Sequence, residues 1–362
     1  MAKETTNKVR TGKNTLTTCG ILKSYKLNYK KARDIDGENK DFNGQDKGDK
    51  ITGSFTLLVG EFETITISLG YGVSQFKSYK DKETEEIKVN ENKTFNLLSD
   101  MEGGNLPTIA DVEDKTDATY IQLTGKGNYK GKITENIYKN SSDVVITNTQ
   151  YELGNGNLYV KDKDKVKELY AQFTADVFVR SVSAETKYNP KAEEEEETGR
   201  VELKVYIPTY KGSVIPLTLI AEEDMADALR ENVDEEGGET LYVEGTIHCN
   251  ATQIEEETGG TGHGWGKKRK ETKTVYKNEL IVDYAEPIED DEDEEGNVVE
   301  KAFNPDDIKA YVVERENIIE NAKNGESNND KDDSKSERKG FGGKATDKDK
   351  DSDKKTSRKN RW

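Results

Sequence analysis

The chain has 362 residues, a formal net charge of -18, and only 31% hydrophobic against 35% charged residues. That balance argues against one large apolar core, because so many charged side chains need solvated loops and tails. No run approaches the roughly 20 apolar residues of a membrane span, and the opening MAKETTNKVRTGKN lacks the apolar stretch of a secretory signal, so a soluble, cytoplasmic protein is expected.

Residues 1–14 read as a flexible N-terminus. TLTTCGILKSYKLNY follows as a long first strand, leading into a charged, glycine-containing loop from Lys30 to Lys50. ITGSFTLLVGEFETITISLGYG then predicts two strands, one alternating through Phe55 and Leu57, the other through Ile65, Ile67 and Leu69. FNLLSDM predicts a helix between strands, and ATYIQLTGKGNYKG a fourth strand. These elements make a first unit with long insertions over 15–155, followed by a connecting segment at 156–170, where KDKDKVKELY predicts a short helix.

The second half alternates more cleanly. AQFTADVFVRSV sets Phe173, Ala175, Val177 and Val179 on one strand face. After the acidic KYNPKAEEEEETG, the segment GRVELKVYIP turns Val201, Leu203, Val205 and Ile207 inward and Arg200, Lys204 and Tyr206 outward. TYKGS is a turn at Gly212, and VIPLTLI runs back. EEDMADALREN predicts a short helix with Met225, Ala228 and Leu229 at helical spacing and acids near its start. TLYVEGTIHCNA and TVYKNELIVDYAEP are the last two strands, the former with Leu241, Val243, Ile247 and Cys249 inward. This second unit spans 171–288. An acidic linker and a helix begun at Pro305 occupy 289–323. From 324 to 362 apolar residues almost vanish, and the segment cannot offset its ordering entropy, so a disordered tail is expected.

Catalytic material is sparse. The chain holds two histidines and no GxSxG or other nucleophile signature, so no enzyme is expected. The acids sit in runs such as Glu193 to Glu197 and Asp290 to Glu295, which repel and stay solvated instead of clustering for a nuclease's metal. Cys19 and Cys249 read as buried reduced thiols. His248, Cys249 and His263 lack CxxC or HxxxH spacing, so neither a metal nor a cofactor is expected.

Strand, strand, strand, helix, strand, strand over about 170 to 288 resembles the OB-fold, a five-stranded Greek-key barrel with a helix between strands three and four. The first half is similar to it more loosely. The expected fold is therefore mainly β: two small OB-like Greek-key barrels with short helices, plus a disordered charged C-terminal tail. The resemblance implies single-stranded nucleic acid laid across strands two and three and gripped by the 1–2 and 4–5 loops. Such a site needs aromatic faces for bases and cations for phosphates. In the second unit these are Phe178, Arg180, Lys204, Tyr206 and Tyr210, with Trp265, Lys267, Lys268, Arg269 and Lys270 of GGTGHGWGKKRK in the 4–5 loop. In the first they are Tyr25, Tyr29, Tyr71, Phe76 and Tyr79, with the cations Lys23, Lys30, Lys31 and Arg33. Alternating aromatics equally suit packing on a second face, and a tetrabasic run equally suits a solvated loop.

The group implied is the tandem-OB single-stranded DNA-binding proteins of bacteriophage type, which act in the host cytoplasm and recruit replication or recombination proteins through a charged tail. Here the tail ends in SRKNRW, whereas tails of that group end in an acidic, hydrophobic tip. The other reading is a phage structural or assembly protein whose small barrels serve protein contacts.

Overall fold

The computed structural model describes residues 11–35, 40, 44–81, 84–125, 130–189, 194–258, 269–292, 298–299 and 301–324, with 189, 194, 250–258, 269–277, 291–292 and 298–299 as backbone only. The fold is mainly β. Its first barrel begins with β1 (Asn14–Lys30), β2 (Lys50–Leu58) and β3 (Thr64–Ser68). A short β4 (Val73–Ser74) and a separate hairpin of β5 (Phe76–Lys80) and β6 (Ile87–Glu91) lead to helix α1 (Lys93–Glu102). The Asn92 side chain caps α1 by accepting from the Thr94 amide, 3.2 Å away.

Strands four and five of this barrel are each broken in two. β7 (Tyr120–Thr124) and β8 (Lys132–Lys139) make the fourth, while β9 (Val145–Glu152) and β10 (Asn157–Lys161) make the fifth. β7 pairs with β1 and β10, and β9 runs parallel to β3 at Ile67 and Tyr151. The circuit closes in the order 1-2-3-5-4-1. β10 lies within the segment that reads as a connector, and KDKDKVKELY forms no α-helix. It holds only a single 3-10 turn over Lys163–Lys165, capped by Asp162.

The second barrel repeats the order with unbroken strands. These are β11 (Tyr170–Asn189), β12 (Glu194–Pro208), β13 (Val214–Ala221), helix α2 (Glu223–Asn232), β14 (Thr240–Thr258) and β15 (Arg269–Pro287). β11 pairs with both β12 and β14, β13 runs parallel to β15 at Ile220 and Ile281, and β14 pairs with β15. The predicted inward residues of β11, β12 and β14 are all buried. On α2 the buried positions are Ala226 and Leu229, whereas Ala228 faces solvent. Met225 packs against the core as predicted, so the stripe differs only in using Ala226 in place of Ala228.

The barrels are not beads on a string. The first half of β1 pairs with β11 from Asn14 opposite Ala175 to Cys19 opposite Tyr170. The Asn14 amide group donates to the Ile133 carbonyl (2.8 Å) and accepts from its N–H (2.9 Å). His248 Nδ1 lies 2.7 Å from Glu63 Oε1, and, against the expectation from composition, one continuous cluster of buried side chains runs through both barrels, because their docked faces are apolar. Helix α3 (Pro305–Asn324) then packs against β8, β9 and β13. Its Arg315 forks onto Glu135 of β8 at 2.8 and 2.6 Å, with both side chains largely buried.

Both cysteines are free and buried. Burial pushes the Cys249 thiol up to about 11; a hydrogen bond with Tyr151 offsets part of this and the Glu63 carboxylate adds to it. Tyr151 is raised as well, first by burial. Each group holds its proton in the folded state, so its stabilising contribution is whole at low pH. For Cys249 that contribution stays intact below 9.0, its ordinary value, and is lost as pH climbs through about 11. The urea midpoint is therefore expected to hold up to pH 9 and fall beyond it, with Cys249→Ala flattening the fall.

Candidate functional site

The outward face of β11, β12 and β13 gathers aromatic and cationic side chains on one surface. Register builds it in two rows. Tyr206 stands between Phe178 on β11 and Pro216 on β13, and Lys204 stands between Ser181 and Thr218. A bulge between Val179 and Ser181 turns Arg180 out of the ladder, and its guanidinium lies 5.0 Å from the Tyr206 ring centroid. Arg180 and Lys204 are exposed, and neither forms an ion pair with a carboxylate among the described residues. The neighbouring cations are already engaged. Arg200 meets Glu185, Glu222 and Glu279 at 3.4, 3.3 and 2.8 Å, and Arg315 holds Glu135. Tyr210 projects from the β12–β13 turn, two-thirds exposed, with the Lys211 ammonium 5.9 Å from its centroid.

Beside this face runs a groove of about 390 Å³. Barrel two supplies Arg180, Lys204 and residues of β13 and β15, while barrel one supplies Thr149 and Tyr151 from β9. Sequence reading missed the β9 and β15 contributors, because no local pattern tells which strand of one barrel will wall the other.

The 4–5 segment differs from its predicted form. β14 continues to Thr258 and β15 starts at Arg269, so much of the predicted loop is a two-stranded arm. Arg269 and Lys270 belong to β15, opposite Thr258 and Glu257, and are strand residues where loop residues were expected. Trp265, Lys267 and Lys268 lie outside the described residues.

In barrel one the equivalent strand face is hydroxylic. Ser24, Thr56 and Thr66 form one row, and Lys26, Ser54 and Ser68 the next, with Thr56 Oγ1 2.9 Å from Thr66 Oγ1. The predicted aromatics lie elsewhere. Tyr25 and Tyr29 pack against the core. Tyr29 lies 5.9 Å from Phe95 of α1 and donates to Asp49 Oδ2 at 2.5 Å. That bond raises the tyrosine and lowers Asp49 from their ordinary values. Tyr71 is exposed at the turn before β4, and Phe76 and Tyr79 sit on the β5–β6 hairpin. Lys23, Lys30 and Lys31 are exposed, and Arg33 pairs with Asp34 at 3.7 Å. The structure thus brings Phe178, Arg180, Lys204 and Tyr206 onto one surface and does not bring the barrel-one set together.

Both barrels and α3 fall inside one recognised sequence family, whose YorF model matches residues 13–325. The chain belongs to the YorF family. No curated protein matches it. Among solved structures, this YorF-family chain is similar to a deletion mutant of the single-stranded DNA binding protein from Thermus aquaticus. That match has a TM-score of 0.40 and 10% identity, covering 79% of this chain and 98% of that one. The wild-type form of the same protein gives 0.38 and 10%, covering 77% and 95%. No described helix of the YorF-family chain is long and apolar enough to cross a membrane.

Proposed function

We propose that this YorF-family chain binds single-stranded DNA with little sequence specificity, protecting it and recruiting replication or recombination proteins. The observation that carries the reading is the β11–β12–β13 face. Stacking surfaces, Tyr206 flanked by Phe178, stand beside two cations without carboxylate partners among the described residues, next to Arg200 and Arg315, which are both paired. Stacking is sequence-tolerant, because every base has a π-face, and cations contact phosphates without reading bases. The formal charge of -18 does not oppose this locally, since salt screens distant acids beyond about 8–10 Å. The basic 4–5 arm, with Trp265 at its connection, serves as a clamp, and the charged tail serves partner recruitment.

Fluorescence titration with labelled oligo-dT at several salt concentrations tests this. Salt-dependent binding, weakened by Trp265→Ala, is expected. A stable oligomer indifferent to oligo-dT would overturn the reading in favour of a phage assembly role.

A further inference from the structure

We propose that the groove between the barrels is a pocket for a single nucleotide unit, holding one unpaired base between Tyr151 and the β13–β15 wall with its phosphate on Arg180 and Lys204. This rests on the single-strand reading but goes beyond it, because it adds a discrete subsite that needs both barrels.

The lining sorts by chemistry as a nucleotide would require. Leu217 and Leu280, both largely buried, and the half-buried Pro216 supply its apolar lining. Tyr151 faces them from the other barrel. Its position is set twice over: β9 pairs it with Ile67 of β3, and its ring packs against the shared core. A side chain held this way meets a base with little further ordering cost. Thr149, Thr218 and Asn278 ring the same space with hydroxyl and amide groups. None of the three makes a side-chain hydrogen bond among the described residues, and all three are exposed. Their donors and acceptors are therefore spent on water and available to a base edge.

Size and access point the same way. At about 390 Å³ the groove falls within the roughly 300–1,000 Å³ of small-ligand sites. A base inside a duplex cannot enter such a space without leaving its stack, so the pocket admits unpaired bases only. At one end Glu135, directly across β8–β9 from Thr149, is held by Arg315, which keeps that carboxylate from repelling a phosphate.

The same chemistry could come from a base within a strand or from a free nucleoside monophosphate, and the experiment separates them. Labelled oligo-dT, an oligo-dT carrying abasic positions, and free dTMP by equilibrium dialysis are compared for the wild-type chain, Tyr151→Ala and Asn278→Ala. The expected result is about tenfold weaker oligo-dT binding by Tyr151→Ala, with the abasic strand bound alike by both. Asn278 is solvent-exposed, so Asn278→Ala keeps the fold and serves as a check should Tyr151→Ala fail to fold. It is expected to weaken oligo-dT, oligo-dC and oligo-dA binding by roughly threefold each, since an amide can meet the edge of any base, and to leave the abasic strand unaffected. Variant-sensitive oligo-dT binding with retained dTMP would identify a free-nucleotide pocket, and variant-sensitive oligo-dT binding without dTMP retention a strand subsite; either supports the proposal. Wild-type oligo-dT binding that Asn278→Ala leaves unchanged for every homopolymer would overturn the pocket and leave the strand-binding function standing. Failure to retain either oligo-dT or dTMP would overturn both.

Discussion

Replacing both Arg180 and Lys204 with alanine is expected to weaken oligo-dT binding about 10- to 100-fold and to flatten its salt dependence. Each phosphate neutralised on a single strand contributes roughly 0.7 to the slope of log affinity against log salt. Losing two contacts should therefore cut the slope by about 1.4. The effect is predicted to be large because these two cations have no carboxylate partner among the described residues, while the neighbouring arginines do. Arg200 already faces three carboxylates and Arg315 one. Arg200→Ala is the matched control: it frees the carboxylates of Glu185, Glu222 and Glu279, two of them largely buried, so it should lower stability and leave the salt slope unchanged. If the double variant keeps the wild-type slope, phosphates do not lie on this face.

The contrast between what the sequence revealed and what it hid follows from where each strand is wet. In β12 one face meets the core and the other water, so Val201, Leu203, Val205 and Ile207 alternate with polar residues and the strand is legible. Beyond residue 250 the β14–β15 arm leaves the barrel. Its sequence, with threonine, glutamate and lysine on both faces, has no period of two to read. Tyr25 and Tyr29 alternate with lysine and asparagine, which looks like an outward aromatic row. Which side of β1 is outward depends on where α1 docks, and Phe95 of α1 covers the tyrosine side. The groove was the least legible feature. Thr149 and Tyr151 are far in sequence from Lys204 and Asn278, and they meet only because β1 pairs with β11 and docks the barrels side by side.

That docking and the closure of barrel two depend on Gly245, and Gly245→Ala is expected to cost about 3 kcal/mol or more, the upper end of overpacking in a filled core. Gly245 lies on β14 between its two neighbours, opposite Phe173 of β11 on one side and Val282 of β15 on the other. A Cβ built there falls 2.0 Å from the Ile281 carbonyl oxygen and 2.6 Å from the Phe173 ring. Neither obstacle can move away cheaply. The carbonyl belongs to the paired β15 backbone, and Phe173 is 2% exposed in the shared core. β15 bulges at Asp283, between the residues opposite Glu244 and Gly245, and this local kink sits where β14 is paired on both sides, to β11 and to β15. Gly199→Ala is the informative comparison. That residue has φ +83°, but nothing lies within 4 Å of its Cβ position, so only the backbone penalty of roughly 1–2 kcal/mol applies. Urea unfolding should therefore rank Gly245→Ala well below Gly199→Ala in midpoint. Because the core is continuous, both barrels should melt together in each variant. Equal midpoints for the two variants would mean that β15 yields at Ile281, and that barrel two does not depend on this close approach to close.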